Sequence, residues 1–203
     1  MNQPKTDNIK LSENFILADA DYIDKVAFNL TVNFERMLGR KIPQADISQW
    51  AVDVALDGGL RPDGKDHETQ LMLIYDEKKL RMENFQPSDL KEELHGKAFR
   101  DPQLGEFLVN AYPTTKIADK DDYLLETLKT LTEHPEVHRV MVVPNAENGD
   151  IMDRIRDLLR RADNDEQRIT VFAMIPLEGG NFRTENLGFS LTDALGVRSE
   201  EFH

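Results

Sequence analysis

Five short apolar runs constrain this chain more than any other feature. They are Phe15–Ala18, Leu71–Tyr75, Phe107–Val109 together with Ala111-Tyr112, Val140–Val143 and Ile169–Ile175. Each reads as a nearly continuous hydrophobic segment with no apolar–polar alternation. A strand of that kind is buried on both faces, which is the condition of a parallel sheet covered by helices. The segments between them carry the other half of the pattern. Ile23, Val26, Ala27, Leu30, Phe34, Met37 and Leu38 recur at spacings of three and four up to Gly39. Ile47, Trp50, Ala51, Val54 and Ala55 do the same between Pro43 and Gly58-Gly59, which places Trp50 in the core. Leu124, Leu125, Leu128 and Leu131 form a third stripe, and Ile151, Ile155, Leu158, Leu159 and Ala162 a fourth. Strand–helix alternation of this sort predicts an α/β fold: a three-layer sandwich around a mainly parallel, five-stranded, doubly wound sheet of Rossmann-like order.

Residues 1–13 are polar and read as a flexible N-terminus, 14–176 as a single α/β domain, and 177–203 as a tail packed on it. Residues 58–68 and the polar segment 163–167 are loops by composition. Pro87-Ser88-Asp89 opens a helix that ends at Gly96. A short helix near Ser190–Leu195 has Ser190 and Asp193 at capping-box spacing. At 203 residues the chain is long enough to bury roughly 70% of its unfolded surface.

Composition then removes several functions. There is no cysteine, so disulfides, thiolate metal sites and a Cys nucleophile are excluded, and a cytoplasmic location is the expectation. Apolar runs reach only about seven residues, too short for a membrane helix, and the polar start lacks a signal-peptide core. A net charge of −13 disfavours nucleic acid as a partner, because phosphate backbones are held mainly by Lys and Arg. It does not exclude nucleic acid, and a protein partner or a homo-oligomer is equally compatible with the sequence. No Walker, dinucleotide-binding or Gly-x-Ser-x-Gly motif is present and the five His residues have no zinc spacing, so no organic cofactor is indicated.

Ligands of doubly wound sheets bind beyond the carboxyl ends of the strands. Acidic residues collect at those positions: Asp19 and Asp21 after the first strand, Asp121 and Asp122 at the start of the helix after the third, Glu147 and Asp150 after the fourth. Carboxylates gathered at one edge suit Mg²⁺ or Mn²⁺, which take oxygen ligands. The same residues also suit helix capping, Asp19 or Asp21 for the first helix, Asp119 or Asp121 before the fourth strand, Asp150 after it. Arg154, Arg156, Arg160 and Arg161 interleave with Asp153 and Asp157 and read as an exposed, internally paired helix face.

The segment Phe15-Ile16-Leu17-Ala18-Asp19-Ala20-Asp21-Tyr22, the helix start Asp121-Asp122-Tyr123-Leu124-Leu125, and Val140–Val143 followed by the Asp150 turn and Arg168–Ile175 together resemble the PIN-like nuclease fold, more narrowly its NYN branch. The resemblance implies a divalent-metal-dependent phosphodiesterase or ribonuclease with Asp19, Asp122 and Asp150 as metal ligands, and Asp21, Asp121 and Glu147 as candidate additions. The chain departs from that pattern in two places. Tyr22 stands where the family has Asn, and Pro144-Asn145-Ala146-Glu147-Asn148-Gly149-Asp150 replaces its Ser-Gly-Asp-x-Asp-Phe. These departures support the alternative, a catalytically degenerate PIN-like fold that serves as a protein-binding or regulatory module.

Overall fold

The computed structural model describes residues 11–115, 119–162 and 168–202. The expected loop at 163–167 and residues 1–10 lie outside these. Residues 11–13 are held in place: Ser12 is buried and donates to Glu68, and Glu13 Oε1 lies 2.5 Å from His67 Nδ1.

The elements run β1 (Asn14–Asp19), α1 (Ala20–Leu38), β2 (Ala45–Asp46), α2 (Ile47–Asp57), β3 (Glu68–Asp76), β4 (Phe85–Gln86), β5 (Lys97–Asp101), β6 (Gly105–Thr114), α3 (Lys120–Thr132), β7 (Arg139–Val143), α4 (Ile151–Arg161), β8 (Arg168–Ala173), β9 (Arg183–Asn186) and α5 (Leu187–Ala194). The main sheet has seven strands, in the order β5-β6-β3-β1-β7-β8-β9. Only β5 is antiparallel to its neighbour. β2 and β4 form a separate two-stranded sheet.

The five expected strands are all present, and the expected strand count is corrected to seven by the two edges. β5 and β9 escape periodicity analysis because neither is buried: Arg183–Asn186 is exposed throughout and Lys97–Asp101 has no buried residue. Their backbones complete ladders that their inner neighbours leave open, so their side chains need carry no hydrophobic pattern. The β5–β6 hairpin depends on Gly105 at φ +92, where a Cβ would meet the His67 carbonyl oxygen at 2.1 Å. β6 also runs through Pro113, against the expectation that proline ends it. The Ala111 N–H points away from β3, to His95 Nδ1 at 3.0 Å. Pro113, two residues on, faces the same unpaired side, so its missing N–H costs no ladder bond.

Alternate residues of β1 build two cores. Ile16 and Ala18 pack with α1, α2 and α5, whereas Phe15 and Leu17 pack with α3 and α4. Both faces of the sheet are thus covered. Residues 177–203, expected as a packed tail, supply β9 and α5, and Leu187, Leu191 and Leu195 of this segment are fully buried.

Several local readings need correction. α2 begins at Ile47 rather than at Pro43, because Asp46 Oδ1 caps it at the Ser48 and Gln49 N–H groups. The helix expected after Pro87 is a single π-helical turn, Leu90–Leu94, capped by Asp89. The last helix is capped by Asn186, not Ser190; Ser190 bonds back to the Leu187 carbonyl.

α5 docks on α2 through polar groups as well as leucines. Gln49 Nε2 donates to Asp53 Oδ1 (3.1 Å) and Asp193 Oδ2 (3.2 Å). Burial, then the facing Asp193 carboxylate, and more weakly Asp57, push Asp53 up to about 8. A carboxyl whose folded pKa lies above its unfolded value stabilises fully below the unfolded value, and that contribution is lost as pH rises through the folded one. Thermal stability is therefore expected to fall between pH 5 and pH 9. Asp53→Asn should flatten that slope. It should raise the melting temperature at pH 8.5 by about 2–4 °C, the equivalent of about 1 kcal/mol after allowance for solvent screening at this half-exposed site. An unchanged slope in melting curves of Asp53→Asn would rule out a shared proton.

Candidate functional site

Counted along the chain, the six parallel strands lie in the order 3-2-1-4-5-6. The order reverses between β1 and β7, and the crevice of such a sheet opens beyond the carboxyl ends of the strands at that point. Here β1 ends in Asp19, β3 in Asp76, and β7 leads to Asn145.

Asp19 is buried, with 3% of its surface exposed. Its Oδ1 accepts the Tyr22 N–H at 3.0 Å, which makes it the N-cap of α1. The same oxygen lies 3.1 Å from Lys120 Nζ, and Asp21 Oδ2 lies 2.7 Å from that ammonium. Asp21 also accepts the Asp76 N–H at 2.9 Å, tying the end of β3 to α1. Lys120 is the first residue of α3 and bridges the two carboxylates. Burial alone would lower its pKa, but Asp19 and Asp21 outweigh burial and hold it above the usual lysine value. Burial dominates at Asp19, whose pKa is raised in spite of Lys120.

The other expected ligands point elsewhere. Asp121 is buried and accepts from Asn148 Nδ2 at 3.1 Å; burial, then the Asp119 charge, raise its pKa. Asp122 is exposed and pairs with Arg154 of α4 at 2.5 Å. Asp150 is exposed at the N-cap position of α4 and makes no side-chain capping bond. Glu147 is exposed near Tyr22. Burial first, and Glu147 second, push the Tyr22 phenol up. The sequence thus places the carboxylates at one edge, but they do not converge as a set. Among the described residues no group of three or more His, Asp or Glu side chains is arranged to hold a metal ion. An ammonium, Lys120 Nζ, lies between Asp19 and Asp21. The capping reading accounts for Asp19 at α1 and for Asp119, which accepts the Asp121 N–H at α3. Arg154 reaches across to α3, whereas Arg156 and Arg160 pair within α4 with Asp153 and Asp157.

Sequence reasoning missed Lys120 and Asn148. A signal for Lys120 was available. A cation at the first position of a helix opposes the helix dipole, so a lysine there needs carboxylates from elsewhere to hold it.

The crevice continues outward as a cleft of about 710 Å³ between α1, the 78–84 loop, Lys120 and Asn145. Asp24 fixes one wall by accepting from the Asn84 backbone (2.8 Å) and side chain (3.2 Å). Asp76 fixes the turn before it, accepting the Lys78 N–H with its side chain and the Lys79 N–H with its carbonyl.

The chain matches the model of a family of unknown function, DUF6621, over residues 8–202. It belongs to that family. No curated protein and no solved structure matches it. No helix among the described residues is long and apolar enough to cross a membrane.

Proposed function

We propose that this family member is a PIN-like, doubly wound scaffold that works without a metal, as a binding or regulatory module. It receives its ligand at the carboxyl edge of β1, β3 and β7. The observation that carries this reading is Lys120, whose Nζ sits 3.1 Å from Asp19 and 2.7 Å from Asp21. A resident ammonium neutralises the pair that would otherwise attract a hard cation. Mg²⁺ or Mn²⁺ would have to displace it and leave a lysine partly buried without a partner. The two departures from the nuclease pattern, at Tyr22 and at 144–150, support the same conclusion.

Thermal unfolding with and without millimolar MnCl₂ or MgCl₂, on wild type and Asp19→Asn, tests it. The expected result is no metal-dependent shift in either protein. A ligand present at 100 times its Kd stabilises by about 2.7 kcal/mol, or several degrees for a domain of this size. A rise of that size in wild type, abolished in Asp19→Asn, would overturn the proposal. It would restore the reading of a metal-dependent phosphodiesterase with Mg²⁺ or Mn²⁺ as cofactor.

A further inference from the structure

The cleft beside Lys120 has a charge opposite to that of the chain. The protein carries 38 acidic against 25 basic residues, yet Lys25, Lys78, Lys79, Arg81 and Lys120 line this one cleft against only Asp21, Asp24 and Glu83. Two of those carboxylates are already engaged, Asp21 with Lys120 and the Asp76 N–H, Asp24 with Asn84. Arg81 is held by Ser88 at 2.8 Å. Lys25, Lys78 and Lys79 are exposed and make no ion pair among the described residues. Three free ammonium groups around one concavity form an anion site of short range. The Debye length at physiological salt is about 8 Å, so a small anion in the cleft feels these lysines, whereas a long polyanion must also cross the acidic remainder of the surface.

The second feature is apolar. Phe28 and Leu80, 54% and 55% exposed, stand at the same cleft, Phe28 just under one helical turn beyond Lys25. A ring and an aliphatic side chain left in water beside free lysines suit a ligand with a planar, weakly polar part joined to an anionic one. Asn145 adds an amide to the same cleft.

We infer that the cleft binds a small nucleotide, a nucleoside diphosphate or triphosphate. The phosphates lie against Lys25, Lys78 and Lys79 and the base against Phe28 and Leu80. The inference rests on the reading of this strand edge as a binding site.

Calorimetric titration of the full chain with ADP and, separately, with inorganic pyrophosphate tests it, both in EDTA. Wild type is expected to bind both, ADP the more tightly. The double variant Lys78→Glu/Lys79→Glu should weaken both by about tenfold or more, since it removes two charge-assisted contacts and adds repulsion. Phe28→Ser should weaken ADP by about fivefold to tenfold, the loss of one stacking contact, and leave pyrophosphate unchanged. Lys129→Glu, a single Lys-to-Glu reversal on the exposed face of α3, should leave both unchanged. All four positions are exposed, and unchanged melting temperatures without ligand establish that the variants fold. Silence of wild type toward millimolar ADP and pyrophosphate would overturn the inference. So would unaltered binding by the double variant, or binding of a single-stranded oligonucleotide with none of ADP. These outcomes are separate from the metal question. A Mn²⁺ response would overturn the metal-free reading and leave binding in EDTA standing, whereas silence toward ADP would leave the metal-free reading intact.

Discussion

Lys120→Met is expected to lower the melting temperature by roughly 5–10 °C and to create a response to Mn²⁺. Removing one partner of a buried ion pair costs about 3–5 kcal/mol. Lys120 is one-quarter exposed and its partners less than one-tenth, so water screens part of the loss and about 2–3 kcal/mol remains, hence the range in degrees. The deficit should depend on pH in a defined sense. Asp19 already has a raised pKa with Lys120 beside it, and without that cation it rises further. A carboxyl raised in the folded state contributes stability that is whole below its unfolded value and is lost as pH rises through its folded value. The variant should therefore approach wild type near pH 4 and fall furthest behind at pH 8. Lys120's own contribution, raised above the usual lysine value, is lost only as pH climbs beyond that range, so it leaves the wild-type comparison flat in between. Thermal melts at the two pH values, each with and without Mn²⁺, measure both effects. An equal deficit at both would show that Lys120 is not the counter-ion of Asp19. A variant that stays blind to Mn²⁺ would show that the ammonium is not what keeps metal out.

Trp50→Ala should be the most damaging single truncation in the core. Trp50 is fully buried on α2 and meets Phe85 edge-on, ring centroids 6.2 Å apart. That contact joins α2 to the small β2–β4 sheet and to the face shared with α5. Emptying an indole site costs about 3–5 kcal/mol, or roughly 6–20 °C in melting temperature. Trp50→Phe should lose far less, because the indole Nε1 has no hydrogen-bond partner among the described residues to forfeit. Trp50 is the only tryptophan, so its fluorescence reports unfolding of the wild type and circular dichroism must report that of the variants. A Trp50→Ala protein that melts within 2 °C of wild type, well inside the expected drop, would place the indole outside the core.

Much of the fold was legible because burial writes itself into local spacing. β1, β3, β7 and β8 are apolar runs because water reaches neither face, and α1 ends where the stripe meets Gly39 at φ +65. β5 and β9 were not legible, since an edge strand is held by its neighbour's unpaired backbone and its own side chains stay in solvent. The same division runs through the candidate site. Asp19 at the end of β1 and the acidic start of α3 were both readable, and so was their place at one edge of a parallel sheet. Which carboxylate turns inward was not. Successive residues on a helix point about 100° apart, so the angle at which α3 meets the sheet buries Asp121 and leaves Asp122 to Arg154.

What the residues determined by themselves is an α/β scaffold around a mostly parallel sheet, with carboxylates beyond the carboxyl ends of its strands. What only the tertiary structure decided is the charge of that edge. Lys120 comes from a position 101 residues beyond Asp19 and 99 beyond Asp21. An apolar stripe is a property of one segment and can be read from it. An ion pair across the switch point exists only after two crossovers have brought its halves together.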